Sequence, residues 1–226
     1  MQRRQYPAAG RFADRWQAGR MLGKALEPLV ADVAARDQIV LGLARGGVVV
    51  AAEVATQLHA RLDAIVVRKI GSPAQPELAI GAVGPGGVRI FNRGLIAELG
   101  ILDQALMDLT ESVVRTRDLL DDDLRGGRPM PDLAGKLAIL VDDGLATGAS
   151  MRAALVFAQR DAASVIVAVP IGAPEVVAAF ETQGIRIQSL ITPAGFESVG
   201  FWYDQFNEVS SEEVKALLGG ASSPAG

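Results

Sequence analysis

A chain of 226 residues is long enough for one α/β domain, with or without an added subdomain. Half of its residues are hydrophobic and 21% are charged, which excludes a disordered chain, a collagen-like repeat and a coiled coil. A net charge of −4 argues against a general basic surface for nucleic acid, and the absence of cysteine removes disulfides, thiolate nucleophiles and Cys-ligated metals. A solitary histidine, His59, speaks against a Ser-His-Asp triad and is read as a helix-end residue without a catalytic role. Chemistry must therefore use carboxylates, Arg, Lys, hydroxyls and backbone amides.

In chain order, Phe12, Trp16, Met21, Leu22, Leu26, Leu29 and Val33 give a helical stripe from about Ala13, with Arg15, Arg20 and Lys24 on a solvated face. Apolar runs at Ile39–Leu43, Ala64–Val67, Leu137–Val141, Ser164–Val169 and Ile187–Ile191 mostly lack polar alternation, as strands covered on both faces do. Helical segments at Val48–His59, Ser150–Arg160 and Glu175–Gln183 separate several of them. Strand, helix and strand in repetition predict right-handed crossovers and an α/β parallel sheet.

Between Gly71 and Asn92 the chain is rich in Gly and Pro, which predicts a mobile loop over roughly 70–87 and a strand or hairpin around Val88–Phe91. A long helix is expected over Ile101–Leu124, with Asp121, Asp122 and Asp123 read as a solvated acidic face rather than a metal site. The tail from Gly219 is expected to be disordered. The longest uncharged stretch, Ala162 to Pro174, is too short for a bilayer, which takes about 20 apolar residues, so a cytoplasmic protein without membrane contact is expected.

The densest chemical signal is LAILVDDGLATGAS, Leu137 to Ser150. An apolar strand delivers Asp142 and Asp143 to its carboxyl end, and Gly144, Leu145, Ala146, Thr147, Gly148, Ala149 and Ser150 turn into a helix. Ligands of open α/β sheets bind at such strand ends. Unpaired amides at the helix start, with the Thr147 and Ser150 hydroxyls, suit a monophosphate. The two carboxylates can accept hydrogen bonds from a vicinal diol or hold a hydrated cation, so a ribose 5-phosphate meets both demands. A plain reading, in which Asp143 caps a helix and the glycines only make the turn, leaves one acid and two hydroxyls unexplained. Neither a GxxxxGK[ST] loop nor a GxGxxG opening is present.

VDDGLATGAS resembles the phosphoribosyl-diphosphate (PRPP) motif of type I phosphoribosyltransferases, nearest to its adenine phosphoribosyltransferase form. LARGG, Leu43 to Gly47, is similar to that family's pyrophosphate loop. There the resemblance implies a cis peptide at Ala44–Arg45 and diphosphate contacts from Ala44, Arg45, Gly46 and Gly47; a simple turn with a solvent-facing Arg is the plain alternative. VVRKIG resembles the strand end before the family's catalytic loop, which implies diphosphate roles for Arg68 and Lys69, though a surface pair would look the same. Across roughly Arg11 to Leu218 the chain is similar to stand-alone bacterial members, through FADRWQAGRMLGKAL, RKIGSPAQPELAIGAV and FWYDQF.

The resemblance implies one domain over 1–218, with a small hood from roughly 1–25 and 190–218, and Mg²⁺-dependent transfer from PRPP to a small-molecule acceptor, a nitrogen nucleophile of the nucleobase kind. Asp142, Asp143, Arg68 and Glu77 would be catalytic, and the two aspartates would meet the metal only through ribose or water. Glu77 replaces the acid some members carry where Ala146 stands, and it reads equally as a surface residue. The aromatics Phe196, Phe201, Trp202, Tyr203 and Phe206 could stack a heterocycle, but a satellite core is the expectation for most of them. A homodimer is a family habit. The alternative from another class is a non-catalytic PRPP-binding regulator, kept open by Arg3, Arg4, Arg11, Arg15 and Arg20; a phosphatase using Asp142 as nucleophile is a third.

Overall fold

The computed structural model describes residues 10–220, so Arg3, Arg4 and the tail from position 221 lie outside the described residues. The elements are α1 (Arg15–Val30), β1 (Gln38–Leu43), α2 (Gly46–Leu58), β2 (Arg61–Ile65), β3 (Arg68–Gly71), β4 (Ala79–Val83), β5 (Arg89–Phe91), α3 (Arg93–Glu98), α4 (Asp103–Arg125), β6 (Leu137–Val141), α5 (Ala149–Ala158), β7 (Ser164–Ile171), α6 (Pro174–Thr182), β8 (Arg186–Ile191) and α7 (Ser211–Gly220). Five strands form a parallel sheet in the order β2-β1-β6-β7-β8, and β3-β4-β5 form a small antiparallel sheet. The expected α/β architecture is therefore present.

Unbroken apolar runs become central strands because both sheet faces are covered. Val40, Ile139 and Val141 pack with Leu22, Leu26, Val50 and Val54 of α1 and α2, while Leu41, Leu140 and Val169 pack on the other face with Met151 and Phe180 of α5 and α6. Full burial of one such side chain contributes roughly 1.5–3 kcal/mol. Helix α1 lies against α2 so closely that a Cβ on Gly19 would stand 2.6 Å from the Val50 carbonyl oxygen. That helix belongs mainly to the central body, and the hood begins just before it.

Five expectations need correction. Strand β2 ends at Ile65, not Val67, because its in-register partner Leu43 ends β1 there. Its polar Asp63 is buried and held by Arg125, which hides a strand from an apolar-run reading. Arg68 and Lys69 consequently open β3 of the second sheet instead of closing a strand of the first. The stretch expected as a loop over 70–87 contains β4, whose Ile80, Ala82 and Val83 are buried; only residues 72–78 and 84–88 turn. Within the first turn, Ser72 donates to the Gln75 carbonyl at 3.0 Å and its amide to the Leu78 carbonyl at 2.9 Å. Asp121 is buried between Arg117 and Arg125 rather than solvated, and Gly219 and Gly220 finish α7. Among the described residues no helix is long and apolar enough to cross a membrane.

Candidate active site

Strand β6 is buried along its whole length and places Asp142 and Asp143 at its carboxyl end. The Asp143 amide donates to Asp142 Oδ1 at 2.9 Å. Gly144 passes under the hood where a Cβ would stand 2.5 Å from Val199 Cγ1, so no larger residue fits without movement. Leu145 then joins the sheet edge: its amide donates to the Ile171 carbonyl and its own carbonyl accepts from the Ala173 amide, both at 2.8 Å. This corrects the expectation that the Leu145 amide faces a phosphate, since that donor is already bonded and its side chain is buried.

Beyond Leu145 the chain is free of the sheet. Gly148, at φ +74°, turns it into α5, whose first helical bond runs from the Arg152 amide to the Gly148 carbonyl at 2.9 Å. The amides of Ala149 and Ser150 thus have no acceptor inside the helix. The Ala149 amide reaches Thr147 Oγ1 only at 3.5 Å, the outer limit of a hydrogen bond. Ala146 to Ser150 therefore make a short cradle of donors at a helix N-terminus.

A second loop closes on the same point. Ala44 donates its amide to the Ile65 carbonyl at 3.0 Å, so it extends β1 and is not a free donor; the Ala44–Arg45 peptide is cis, and Gly46 and Gly47 open α2. A Cβ on Gly46 would stand 2.2 Å from Asp143 Oδ2, and one on Gly47 would stand 2.8 Å from both Asp142 Oδ1 and the Val141 carbonyl oxygen. Only glycine lets these loops approach so closely.

Two further residues reach the site from outside both loops: Arg15, the first residue of α1, and Tyr203, which the sequence reads only as a stacking or core aromatic. Arg15 Nε donates to Asp143 Oδ2 at 2.8 Å, and the Tyr203 hydroxyl donates to the Asp143 carbonyl at 2.6 Å. The helical stripe puts Arg15 on a solvated face, because such a pattern records which face is polar but not what meets it. Phe12 pairs with Tyr203 in an isolated parallel bridge, joining the segment before α1 to the segment before α7. The aromatic segment is mainly a satellite core of Phe12, Phe196, Trp202 and Tyr203, as expected, while Phe201 and Phe206 are exposed.

Burial and the charge of Asp143 push the Asp142 carboxyl well above the usual carboxylate range, against the pull of Lys69 and Arg15. Burial raises Asp143 as well, opposed by the Arg15 cation and its hydrogen bond. The Tyr203 phenol is pushed up by burial and by Asp143. Lys69 thus stands near enough to act on Asp142. Arg68 and Lys69 are both exposed at the start of β3, with Arg68 on the opposite pleat face from Lys69. Arg45 is paired with Glu208 of the hood. Glu77 is exposed in the 72–78 turn.

The phosphoribosyl transferase domain model matches residues 17–200. The chain belongs to that family. It is 43% identical over 213 residues to provisionally named phosphoribosyl transferases from two strains of Mycobacterium tuberculosis, covering 92% of this chain and 46% of theirs. This phosphoribosyl transferase domain chain thus spans about half the length of those curated relatives. The crystal structure of TT1426 from Thermus thermophilus is 42% identical, with a TM-score of 0.73, covering 92% of this chain and 97% of that one.

For the Mg²⁺ that the resemblance implies, the test is the donor set. Among the described residues no group of three or more His, Cys, Asp or Glu could hold a metal by itself. Asp142 and Asp143 each have one oxygen engaged and one without a hydrogen-bond partner among the described residues. Such hard oxygens fit an ion that keeps waters and substrate oxygens in most of its shell.

Proposed function

We propose that this chain transfers the 5-phosphoribosyl group of PRPP to a nitrogen of a nucleobase-type acceptor, releasing diphosphate. The observation that carries the reading is the pair of half-engaged carboxylates, Asp142 and Asp143, set between the amide-rich start of α5 and the glycine start of α2.

The 5-phosphate would rest on the amides of Ala146, Thr147, Gly148, Ala149 and Ser150, with the Thr147 and Ser150 hydroxyls as further donors. A helix N-terminus stabilises such an anion through oriented N–H groups and the helix dipole. The open oxygens of Asp142 and Asp143 would accept from the ribose 2- and 3-hydroxyls, fixing the sugar ring while the C1–O bond to diphosphate breaks and the C1–N bond forms. Diphosphate would lie over Gly46 and Gly47, with Arg45 and Lys69 offsetting the charge that grows on it. Arg45 would exchange its Glu208 partner for the diphosphate. Arg68 would join only after turning from its present exposed side, and Glu77 only if the 72–78 turn folds over the site. Asp142 and Asp143 would hold Mg²⁺ only through the ribose or water, and the ion when bound would supply further neutralisation of the leaving group.

The test is to incubate the full chain with PRPP, Mg²⁺ and a panel of purines, pyrimidines and simple amines while following pyrophosphate release. Release with at least one acceptor, abolished in a folded Asp142→Asn/Asp143→Asn variant, is the expected result. Unchanged turnover in that variant removes the assignment, and PRPP binding without release on any acceptor leaves a PRPP-binding regulator instead.

A further inference from the structure

We infer that Arg15, at the start of α1, is a positioning residue that fixes the Asp143 carboxylate for the ribose diol. The inference rests on the reading of the acid pair given above and adds to it a residue from outside both loops.

The guanidinium of Arg15 is held on three sides. Its Nε donates to Asp143 Oδ2 at 2.8 Å, one terminal nitrogen donates to the Asn207 carbonyl at 2.8 Å, and its central carbon lies 3.8 Å from the centre of the Phe206 ring. The two partner side chains are 11% and 16% exposed, unlike an ordinary surface ion pair. A planar fork engaged in this way has little freedom left to swing, and a point charge on a flexible stem would have more. Asp143 is also gripped at its main chain, because the Tyr203 hydroxyl bonds its carbonyl at 2.6 Å. With Oδ2 taken by Arg15, Oδ1 is the oxygen left to meet a substrate, and its direction is set by the hood.

The glycine at position 46 is part of the same device. A Cβ there would stand 3.0 Å from Arg15 Nε and 2.2 Å from Asp143 Oδ2, so the bare backbone makes room for the pair. Arg15 is not needed as a helix cap, since Asp14 accepts from the Gln17 amide at 2.7 Å. The cation also offsets part of the repulsion between two adjacent acids at one strand end.

The experiment titrates ribose 5-phosphate and, separately, inorganic phosphate into the wild-type chain, Arg15→Gln and Arg15→Lys, with thermal melts of all three. Inorganic phosphate reports the cradle alone, whereas ribose 5-phosphate also reports the diol site. Arg15→Gln is expected to weaken ribose 5-phosphate by about tenfold, Arg15→Lys by about threefold, and neither to change phosphate binding. A merely structural role predicts that Gln and Lys fall equally, because both lose the Phe206 stack and the Asn207 bond; equal falls, or no fall, overturn the inference. Should Arg15→Gln not fold, Arg15→Lys alone decides, through loss of ribose 5-phosphate affinity with phosphate unchanged. Failure of the wild-type chain to bind ribose 5-phosphate would instead strike the reading of the acid pair itself.

Discussion

Two acid–arginine clusters flank the parallel sheet and have opposite characters. In the first, Arg125 bonds Asp63 at 3.1 Å and Asp121 at 3.0 Å, Arg117 reaches the other Asp121 oxygen at 3.4 Å, and all four side chains are buried. Asp63 also accepts from the Ala64 amide at 2.8 Å, and Arg125 donates to the Ala64 carbonyl at 2.7 Å. In the second, only Asp143 is bonded to a cation, Arg15, while Asp142 feels Lys69 and Arg15 without a bond to either, and each acid has an oxygen without a hydrogen-bond partner among the described residues. A network whose acids are matched by cations ties α4 to β2, and what it leaves unpartnered, the buried Arg117 Nη1, is a donor and not an oxygen for a diol or a cation. The pair with one bonded cation and two open oxygens is the one that a diol or a hydrated ion completes.

The sharpest way to break this comparison is Arg125→Ala. It strands Asp63 and Asp121 without their main partner, and a loss of about 3–5 kcal/mol is expected in denaturant unfolding. A loss near that of a surface pair would mean that the network is not structural. Next in size is Gly47→Ala, whose Cβ meets the Val141 carbonyl oxygen and Asp142; a stability loss of about 1–3 kcal/mol is expected together with weakened diphosphate binding.

The acid pair should behave in the opposite sense. Its carboxyls are raised in the folded state above the ordinary 3.8, so the folded protein holds more protons than the unfolded chain over the window just above that value. Stability therefore falls as pH rises through that window, and the lost part stays lost at neutral pH. Asp142→Asn/Asp143→Asn is accordingly expected to melt higher than wild type at pH 7, with the gap closing below the ordinary carboxylate range; a lower melting temperature at pH 7 would refute the assignment. The smallest effect is expected from Glu208→Gln. It frees Arg45 from an exposed pair and should tighten PRPP by up to about fivefold in calorimetry, since such pairs contribute roughly 0–1 kcal/mol. Weaker binding would show that Glu208 orients Arg45 instead of competing for it.

Much of the fold was legible because burial on both faces writes itself as unbroken apolar strands, as in β1, β6 and β7. The antiparallel β4 was not, since AIGAV lies inside a Gly- and Pro-rich stretch and is only five residues long. Asp121 reads as solvated although Arg117 and Arg125 stand four residues to either side, because that face of α4 is buried only by meeting Asp63, 62 residues from Arg125.

By itself the sequence determined the parallel α/β sheet, the turn after Asp142 and Asp143, and the glycines of LARGG, because each is a local pattern whose physics is complete within a few residues. Tertiary structure alone decided that Leu145 gives its amide to the sheet, that the charge of Lys69 acts on Asp142, and that Arg15 at the start of α1 and Tyr203 from the C-terminal segment reach Asp143. Arg15 and Asp143 are 128 positions apart, and nothing along the chain encodes a hydrogen bond between side chains that meet only after the sheet has brought both ends of the molecule over the same strand end.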